Sequence, residues 1–197
     1  MPAPADPRPA LVEPVELVRP TTDLAPSWWA MVDAFAGEEI HGSGLRPGER
    51  TSLRDPHRFG LWVEWLVDQE GPHGWSPGRV PSSYRWVLVG GWVVGTIAVR
   101  HALNEGLVVR GGHVGYAVAP GSRRRGVASA ALRSALGIAA RRGLGAVLLT
   151  CEVDNLASTR TIVGAGGRPA GIRDGSARYW VPTRGPRVTQ DGTVGGA

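Results

Sequence analysis

The sequence predicts an α+β fold in which helices pack against a mixed β-sheet. The first observation is a hairpin, Tyr84 to Val89 and Trp92 to Arg100, whose strands are joined by the tight-turn pair Gly90–Gly91. The second is an amphipathic helix over 123–142, with apolar residues on one face. The third is the nearly continuous apolar run from Leu144 to Cys151, which is typical of a strand buried on both faces.

One strand and two helices are predicted before the hairpin. The range from Pro14 to Arg19 alternates between apolar and polar residues, which indicates a first strand. A helix is predicted from Ser27, as its N-cap, to Phe35. A second helix follows from Pro56 to Glu70, because Asp55 suits the N-cap and proline suits the first helical position.

The elements after the hairpin complete the predicted sheet. His113 to Ala119 is predicted as a strand, Asp154 to Val163 as a short helix capped by its first residue, and Ile172 to Val181 as a closing hairpin. Three loops connect the elements, over 37–56, 71–81 and 104–111. Loops as long as the first of these often carry function.

Composition indicates one globular domain. The chain has 197 residues, of which 42% are hydrophobic and 20% charged, enough for a proper core. Residues 1–11 and 184–197 are predicted to be disordered tails, and 12–183 the domain. A single cysteine excludes an internal disulfide and fits a reducing cytoplasm. No cationic start with an apolar segment and no membrane-length apolar run is present, so we expect a cytoplasmic protein without membrane contact.

The basic charge calls for a separate explanation. The formal net charge is +5 and every basic side chain is an arginine, because the chain has no lysine. The arginines are scattered apart from 123–125 and 141–142. This spread favours a solvated surface over a nucleic-acid stripe, so we expect no nucleic-acid partner.

The most informative segment is the turn Arg123-Arg124-Arg125-Gly126-Val127-Ala128, which we call the arginine turn. It lies between a predicted strand and a predicted helix, where unpaired backbone N–H groups and the helix dipole favour an anion. Gly126 and Ala128 leave room for close approach, and arginine side chains match phosphate geometry. The turn therefore predicts a pyrophosphate-bearing ligand.

These residues resemble the GNAT superfamily of acyl-CoA-dependent N-acetyltransferases. The arginine turn fits the family pattern Arg/Gln-x-x-Gly-x-Gly/Ala, and Tyr116-Ala117-Val118-Ala119-Pro120 before it resembles the family's fourth strand. The run Leu148 to Asp154, followed by Asn155-Leu156-Ala157-Ser158, resembles the fifth strand and the next helix start. The element order agrees from Val15 to Pro182. Around Arg100 to Tyr116 the chain also resembles a bacterial subgroup of predicted acetyltransferases.

The resemblance implies a mostly antiparallel central sheet with helices on both faces and a splayed pair of central strands. Acetyl-CoA, as co-substrate, would bind between those strands. The residues that the resemblance assigns to it are Val118, Arg123, Arg124, Arg125, Gly126, Val127, Ala128, Asn155 and Ser158. A primary amine of a small molecule or peptide would attack the thioester directly in a ternary complex, with no metal. Family members often dimerise, so a homodimer is an expected assembly.

Two positions depart from the family pattern. Ile162 stands where many members have a tyrosine as general acid, and Gly167 stands where a phenylalanine is common. The acid must therefore come from elsewhere, or the protein is a non-catalytic acyl-CoA sensor. A nucleic-acid-binding protein using the arginine turn is the third alternative.

Five side chains are candidates for acid, base and acceptor binding. Tyr116 is a candidate proton donor, with a core-filling aromatic as the alternative. Histidines have a pKa suited to a general base, which makes His113 a catalytic candidate and His101 a candidate near the acceptor, with structural or solvated roles as the alternative. Glu39 and His41 lie in the long loop that the resemblance places over the acceptor, where they would bind a cationic amine, with a solvated loop as the alternative.

Overall fold

Seven strands form two antiparallel sheets in the computed structural model, which describes residues 13–183. The predicted tails over 1–11 and 184–197 lie outside the described residues. In chain order the strands are β1 (Val15–Val18), β2 (Ser82–Val89), β3 (Trp92–Arg100), β4 (Val114–Val118), β5 (Ala146–Glu152), β6 (Arg168–Arg173) and β7 (Ser176–Pro182). The helices are α1 (Ala25–Ala34), α2 (Glu49–Ser52), α3 (Pro56–Asp68), α4 (Glu105–Val109), α5 (Val127–Arg141) and α6 (Leu156–Gly164).

The sheet is divided between β4 and β5. One sheet has the order β1-β2-β3-β4 and the other the order β5-β7-β6, and every pairing within them is antiparallel. This arrangement confirms the predicted α+β class, the mostly antiparallel strands and the splayed central pair.

Helices cover both faces of the sheet, as predicted. Along β2 the side chains alternate, so that Trp86 and Leu88 face a core formed with α1 and α3. Val87 faces the opposite way, into a core formed with α5 and α6. In the first core Trp28 of α1 stacks on Trp86 with ring centroids 4.5 Å apart. The tryptophans of the two helices thus pack them onto the sheet.

Helix starts follow local capping chemistry, with two corrections. Asp55 caps α3 as predicted, because its carboxylate accepts from the N–H of Arg58. The predicted cap at Ser27 is wrong, since α1 begins at Ala25 and the buried Ser27 hydroxyl instead accepts from the N–H of Val93 at 2.6 Å. The predicted cap at Asp154 is also wrong, because the amide oxygen of Asn155 caps α6.

Two predicted loops contain short helices, and one predicted helix begins later than expected. The loops over 37–56 and 104–111 contain the short helices α2 and α4. Asn104 caps α4 by accepting from the N–H of Leu107 at 2.9 Å. Helix α5 begins at Val127, so the three arginines of the arginine turn precede the helix rather than opening it.

Candidate active site

Hydrogen bonds join the two sheets between His113, immediately before β4, and Leu148 in β5. The N–H of His113 donates to the Leu148 carbonyl at 2.7 Å, and the N–H of Leu148 donates to Nδ1 of His113 at 2.9 Å. We call this contact the vertex and the space beyond it, where β4 and β5 are not paired, the gap. The imidazole thus replaces a backbone acceptor at the point where the sheet divides.

Backbone groups of both strands face the gap. On β4 the residues hydrogen-bonded to β3 include His113 and Ala119, so the alternate residues Tyr116 and Val118 turn their N–H and C=O groups towards β5. The same alternation on β5 turns the backbone of Thr150 and Glu152 towards β4. The gap is therefore edged by strand backbone that an extended ligand can pair with.

The arginine turn lies at the end of β4 and presents uncapped amides. Arg124 and Gly126 have positive φ values of 62° and 79°, and Gly126 is the N-cap of α5 without a side-chain cap. In the described part of the chain, the N–H groups from Arg124 to Ala128 have no acceptor of ordinary hydrogen-bond geometry. Together with the dipole of α5, these N–H groups are a donor set of the kind that favours an anion.

The side chain of Arg123 makes contacts within the protein, and its role in cofactor binding stays a prediction. Its Nε donates to the Val118 carbonyl at 2.9 Å, and its guanidinium lies 3.7 Å from the Glu38 carboxylate. It ties the end of β4 to the loop after α1. The side chains of Arg124 and Arg125 are exposed beside the uncapped amides.

A cleft of about 670 Å³ lies at the gap and is lined by residues of both β4 and β5. Its wall includes Tyr84, Arg100, Tyr116, Thr150, Asn155 and Ser158. Asn155 caps α6 through Oδ1, and its amide nitrogen makes no hydrogen bond within residues 13–183. Asn155 and Ser158 thus lie in the cleft wall, and their contact with the cofactor stays a prediction.

The Tyr116 hydroxyl is a buried proton donor beside the gap. It has no hydrogen-bond partner of ordinary geometry in the described chain. Burial raises the pKa of Tyr116, and the neighbouring hydroxyls of Ser158 and Thr161 on α6 oppose that rise. The phenol therefore stays protonated at neutral pH. Ile162, at the position of the common family acid, is 1% exposed and belongs to the core.

Glu39 and His41 lie at the mouth of the cleft. Their side chains are 3.1 Å apart and both are exposed. The backbone carbonyl of His41 accepts from the Thr96 hydroxyl at 3.0 Å, which anchors this loop to β3. Both residues line the cleft, and their role in binding the acceptor stays a prediction.

The other two candidate histidines, His113 and His101, are not part of the cleft wall. His113 is 6% exposed, its Nδ1 is occupied by the Leu148 N–H, and burial lowers its pKa to about 4. A lowered pKa and an occupied Nδ1 make the ring poorly suited to the predicted base role, so we assign it to the vertex. His101 is bonded through Nε2 to the Ser83 hydroxyl at 2.8 Å, and burial lowers its pKa. We do not retain either as an acceptor-site residue.

Several wall residues were missed by the sequence analysis. Trp65, Arg79 and Arg100 contribute to the cleft wall, yet each is distant in sequence from the arginine turn. Arg100 belongs to the run that resembles the bacterial subgroup, which was the available signal. Cys151 is half-buried, with Sγ 3.6 Å from the Thr159 hydroxyl.

Within residues 13–183, no group of three or more His, Cys, Asp or Glu side chains is arranged to hold a metal ion. No helix in that range is both long and apolar enough to span a bilayer.

Solved structures share this fold at low sequence identity. The microcin C7 self-immunity acetyltransferase MccE, in complex with acetyl-CoA and AMP, is 12% identical with a TM-score of 0.60, covering 87% of this chain and 93% of its own. RimJ from Mycobacterium smegmatis, in complex with CoA-disulfide, is 17% identical with a TM-score of 0.62, covering 85% and 81%. An acetyltransferase from Salmonella typhimurium that modifies a ribosomal protein's N-terminal serine is 15% identical with a TM-score of 0.57, covering 89% and 98%.

Sequence comparison identifies the family. No curated protein sequence matches the chain significantly. The model of the Acetyltransferase (GNAT) family matches residues 48–162, more than half of the chain, and this range includes β4, the arginine turn, β5 and most of α6. The predicted resemblance is confirmed: the chain belongs to the GNAT family of acetyltransferases, enzymes that transfer the acetyl group of acetyl-CoA to an amine.

Proposed function

We propose that this enzyme acetylates the primary amine of a small molecule or peptide by direct attack on bound acetyl-CoA. The observation that carries the proposal is the set of uncapped amides from Arg124 to Ala128 at the open end of the gap. An unsatisfied donor set at the end of a strand that edges the gap matches the needs of a pyrophosphate joined to an extended arm.

The backbone around the gap suits the rest of acetyl-CoA. The pyrophosphate accepts from the arginine turn, and the pantetheine arm pairs with β4 as an added strand. Because the Val118 carbonyl already accepts from Arg123, its N–H and the Tyr116 backbone are the groups left for that pairing. The free amide nitrogen of Asn155 supplies one more donor to the arm.

The chemistry needs a positioned amine, an acceptor for its proton and a donor to the departing thiolate. The Tyr116 phenol is our candidate donor, because it is protonated, buried and directed towards α6 beside the gap. Glu39 and His41 are candidates for attracting the amine to the mouth of the cleft. Since Tyr116 lies on β4, it would replace the family tyrosine that Ile162 has displaced from α6.

Thiol release from acetyl-CoA across a panel of primary amines tests this function. We expect turnover with at least one amine, and calorimetric CoA binding that does not depend on the amine. CoA binding without turnover on any amine would indicate an acyl-CoA sensor instead. Absence of CoA binding, with salt-sensitive binding of nucleic acid, would favour the third alternative.

We also propose a location, an assembly state and the classes of acceptor to test. The single cysteine supports a cytoplasmic location. A homodimer is proposed by analogy with the family and is tested by sedimentation. The Salmonella enzyme's action on a protein N-terminus, and the AMP bound to MccE, support both peptide and small-molecule acceptors as panel members.

A further inference from the structure

Arg100 ends β3 at the floor of the cleft, and only part of its guanidinium is used by the fold. Nη1 donates to the carbonyls of Gly111 and Gly112, both at 3.0 Å. Nη2 makes no hydrogen bond in the described part of the chain. It lies beside Gly115 of β4, where a Cβ atom would be 3.6 Å away, so no side chain of β4 covers it there. Two N–H donors of Arg100 are thus held in place and directed at the cleft.

The charge of Arg100 is also unbalanced. No carboxylate within residues 13–183 lies within 4 Å of it, and Tyr84 is the polar neighbour that opposes the effect of burial on its charge. Burial lowers the pKa of Arg100 from its ordinary value, which shows that the guanidinium is partly withdrawn from water. A partly desolvated cation without a counter-ion is unfavourable, and an anion entering the cleft would restore its lost solvation.

More positive charge surrounds the same space. Arg79 and Arg46 lie over the ring of Trp65, with guanidinium carbons 4.9 Å and 5.9 Å from its centroid. Arg46 is near Glu49, whereas Arg79 has no carboxylate partner in the described chain.

The cleft wall as a whole has a surplus of two positive charges. It contains four arginines against two carboxylates. The carboxylates are Glu39 and Glu152, both well exposed, and Glu152 is already paired with Arg110. The negative charge is therefore at the rim and the unpaired positive charge inside.

We propose that the acceptor amine carries a carboxylate or phosphate group, which binds Nη2 of Arg100 at the floor of the cleft with Arg79 as a second contact. The inference rests on the proposed acetyl transfer and names the acceptor class for it. Arg100 acts here as a specificity-determining residue: its fork binds the anion and takes no part in proton transfer.

Two matched pairs of amines test the proposal: β-alanine against β-alaninamide, and O-phosphoethanolamine against ethanolamine. We expect kcat/KM to be about 10- to 100-fold higher for the anionic member, since hydrogen bonds to charged groups contribute about 1.5–3 kcal/mol. The pair with the larger ratio shows whether carboxylate or phosphate is the better fit.

Variants link that preference to the named residues. Arg100→Gln should reduce the ratio to near one. Arg79→Gln should also reduce the ratio. The Arg79 side chain makes no hydrogen bond to the backbone within residues 13–183, so this variant avoids the risk to folding that comes from removing the hydrogen bonds of Arg100. Arg133→Gln, at an exposed arginine of α5, is the charge-matched control and should keep the full preference. Thermal unfolding establishes that each variant is folded.

The outcomes separate this inference from the function on which it rests. Equal kcat/KM within both pairs, or a preference that survives in folded Arg100→Gln and Arg79→Gln, overturns the anionic acceptor and leaves acetyl transfer intact. Failure of every amine to release thiol counts against acetyl transfer itself. In that case calorimetry with O-phosphoethanolamine and β-alanine still decides the anion site, because binding that Arg100→Gln abolishes supports it and absence of binding refutes it.

Discussion

Acidification should weaken the fold through one side chain, His113 at the vertex. Its neutral Nδ1 accepts from the Leu148 N–H. Protonation would put a hydrogen on Nδ1, so that two N–H groups would face each other and this hydrogen bond would be lost. Burial, with the charge of Arg100 as the lesser cause, lowers the pKa of His113 from 6.5 to about 4. The unfolded chain therefore binds a proton at a higher pH than the folded chain does.

The sign and size of the effect follow from that difference. Because unfolding takes up a proton, the free energy of unfolding falls as the pH drops below 6.5, and the full loss is reached below about pH 4. At about 1.4 kcal/mol for each pKa unit, the full loss is roughly 3 kcal/mol, and about 2.5 kcal/mol of it is present at pH 4.5. This is a large share of the stability of an ordinary domain.

Urea unfolding of wild type and His113→Asn at pH 7.5 and pH 4.5 measures the effect. The asparagine amide oxygen can accept from the Leu148 N–H but does not titrate. We expect His113→Asn to lose about 2.5 kcal/mol less than wild type between the two pH values. His101 has a pKa that burial also lowers, but it is present in both proteins and cancels in the comparison.

His57→Asn, at an exposed position of α3, is the control and should behave as wild type. Equal losses in wild type and His113→Asn would refute the assignment of His113 to the vertex. They would mean that its ring is open to water or that another acceptor replaces it when the pH falls.

Three further predictions concern the ligand site and the core. Gly126→Glu should weaken CoA binding at least about tenfold more than Gly126→Ala does. Both variants share the backbone strain at φ 79°, but only the glutamate adds negative charge. Equal losses of affinity by calorimetry would show that the arginine turn does not bind the pyrophosphate. Tyr116→Phe should lower kcat by about 10² to 10⁴ with CoA affinity unchanged, and an unaltered kcat would remove Tyr116 as the proton donor. Ser27→Ala should lower the free energy of unfolding by about 1–3 kcal/mol, since the buried Val93 N–H loses its acceptor; a neutral result in urea unfolding would contradict that hydrogen bond.

Features that depend on neighbours in sequence were predicted well. The Gly90–Gly91 hairpin, the Asp55 cap and the strand before the arginine turn each follow from a few adjacent residues. Where two local caps competed, as at Asp154 and Asn155, the choice depended on the backbone path into α6 and the sequence analysis chose wrongly. The helices α2 and α4 were missed because four or five residues carry too little periodicity.

The role of a polar side chain depended on partners far away in the chain. His113 has a pKa suited to a base in isolation, but Leu148, 35 residues later, occupies its Nδ1 and burial makes it a poor one. Arg100 shows the reverse, because only the folded chain leaves its guanidinium without a counter-ion in a cleft.

By itself the sequence determined the α+β class, the family and the position of the arginine turn, since hydrophobic periodicity, turn residues and a contiguous motif are all local properties. The tertiary structure alone decided which ionisable groups meet the cleft and which become part of the framework. The physical reason is that desolvation and hydrogen-bond pairing, which set the charge and reactivity of Tyr116, His113 and Arg100, arise only when distant segments pack together.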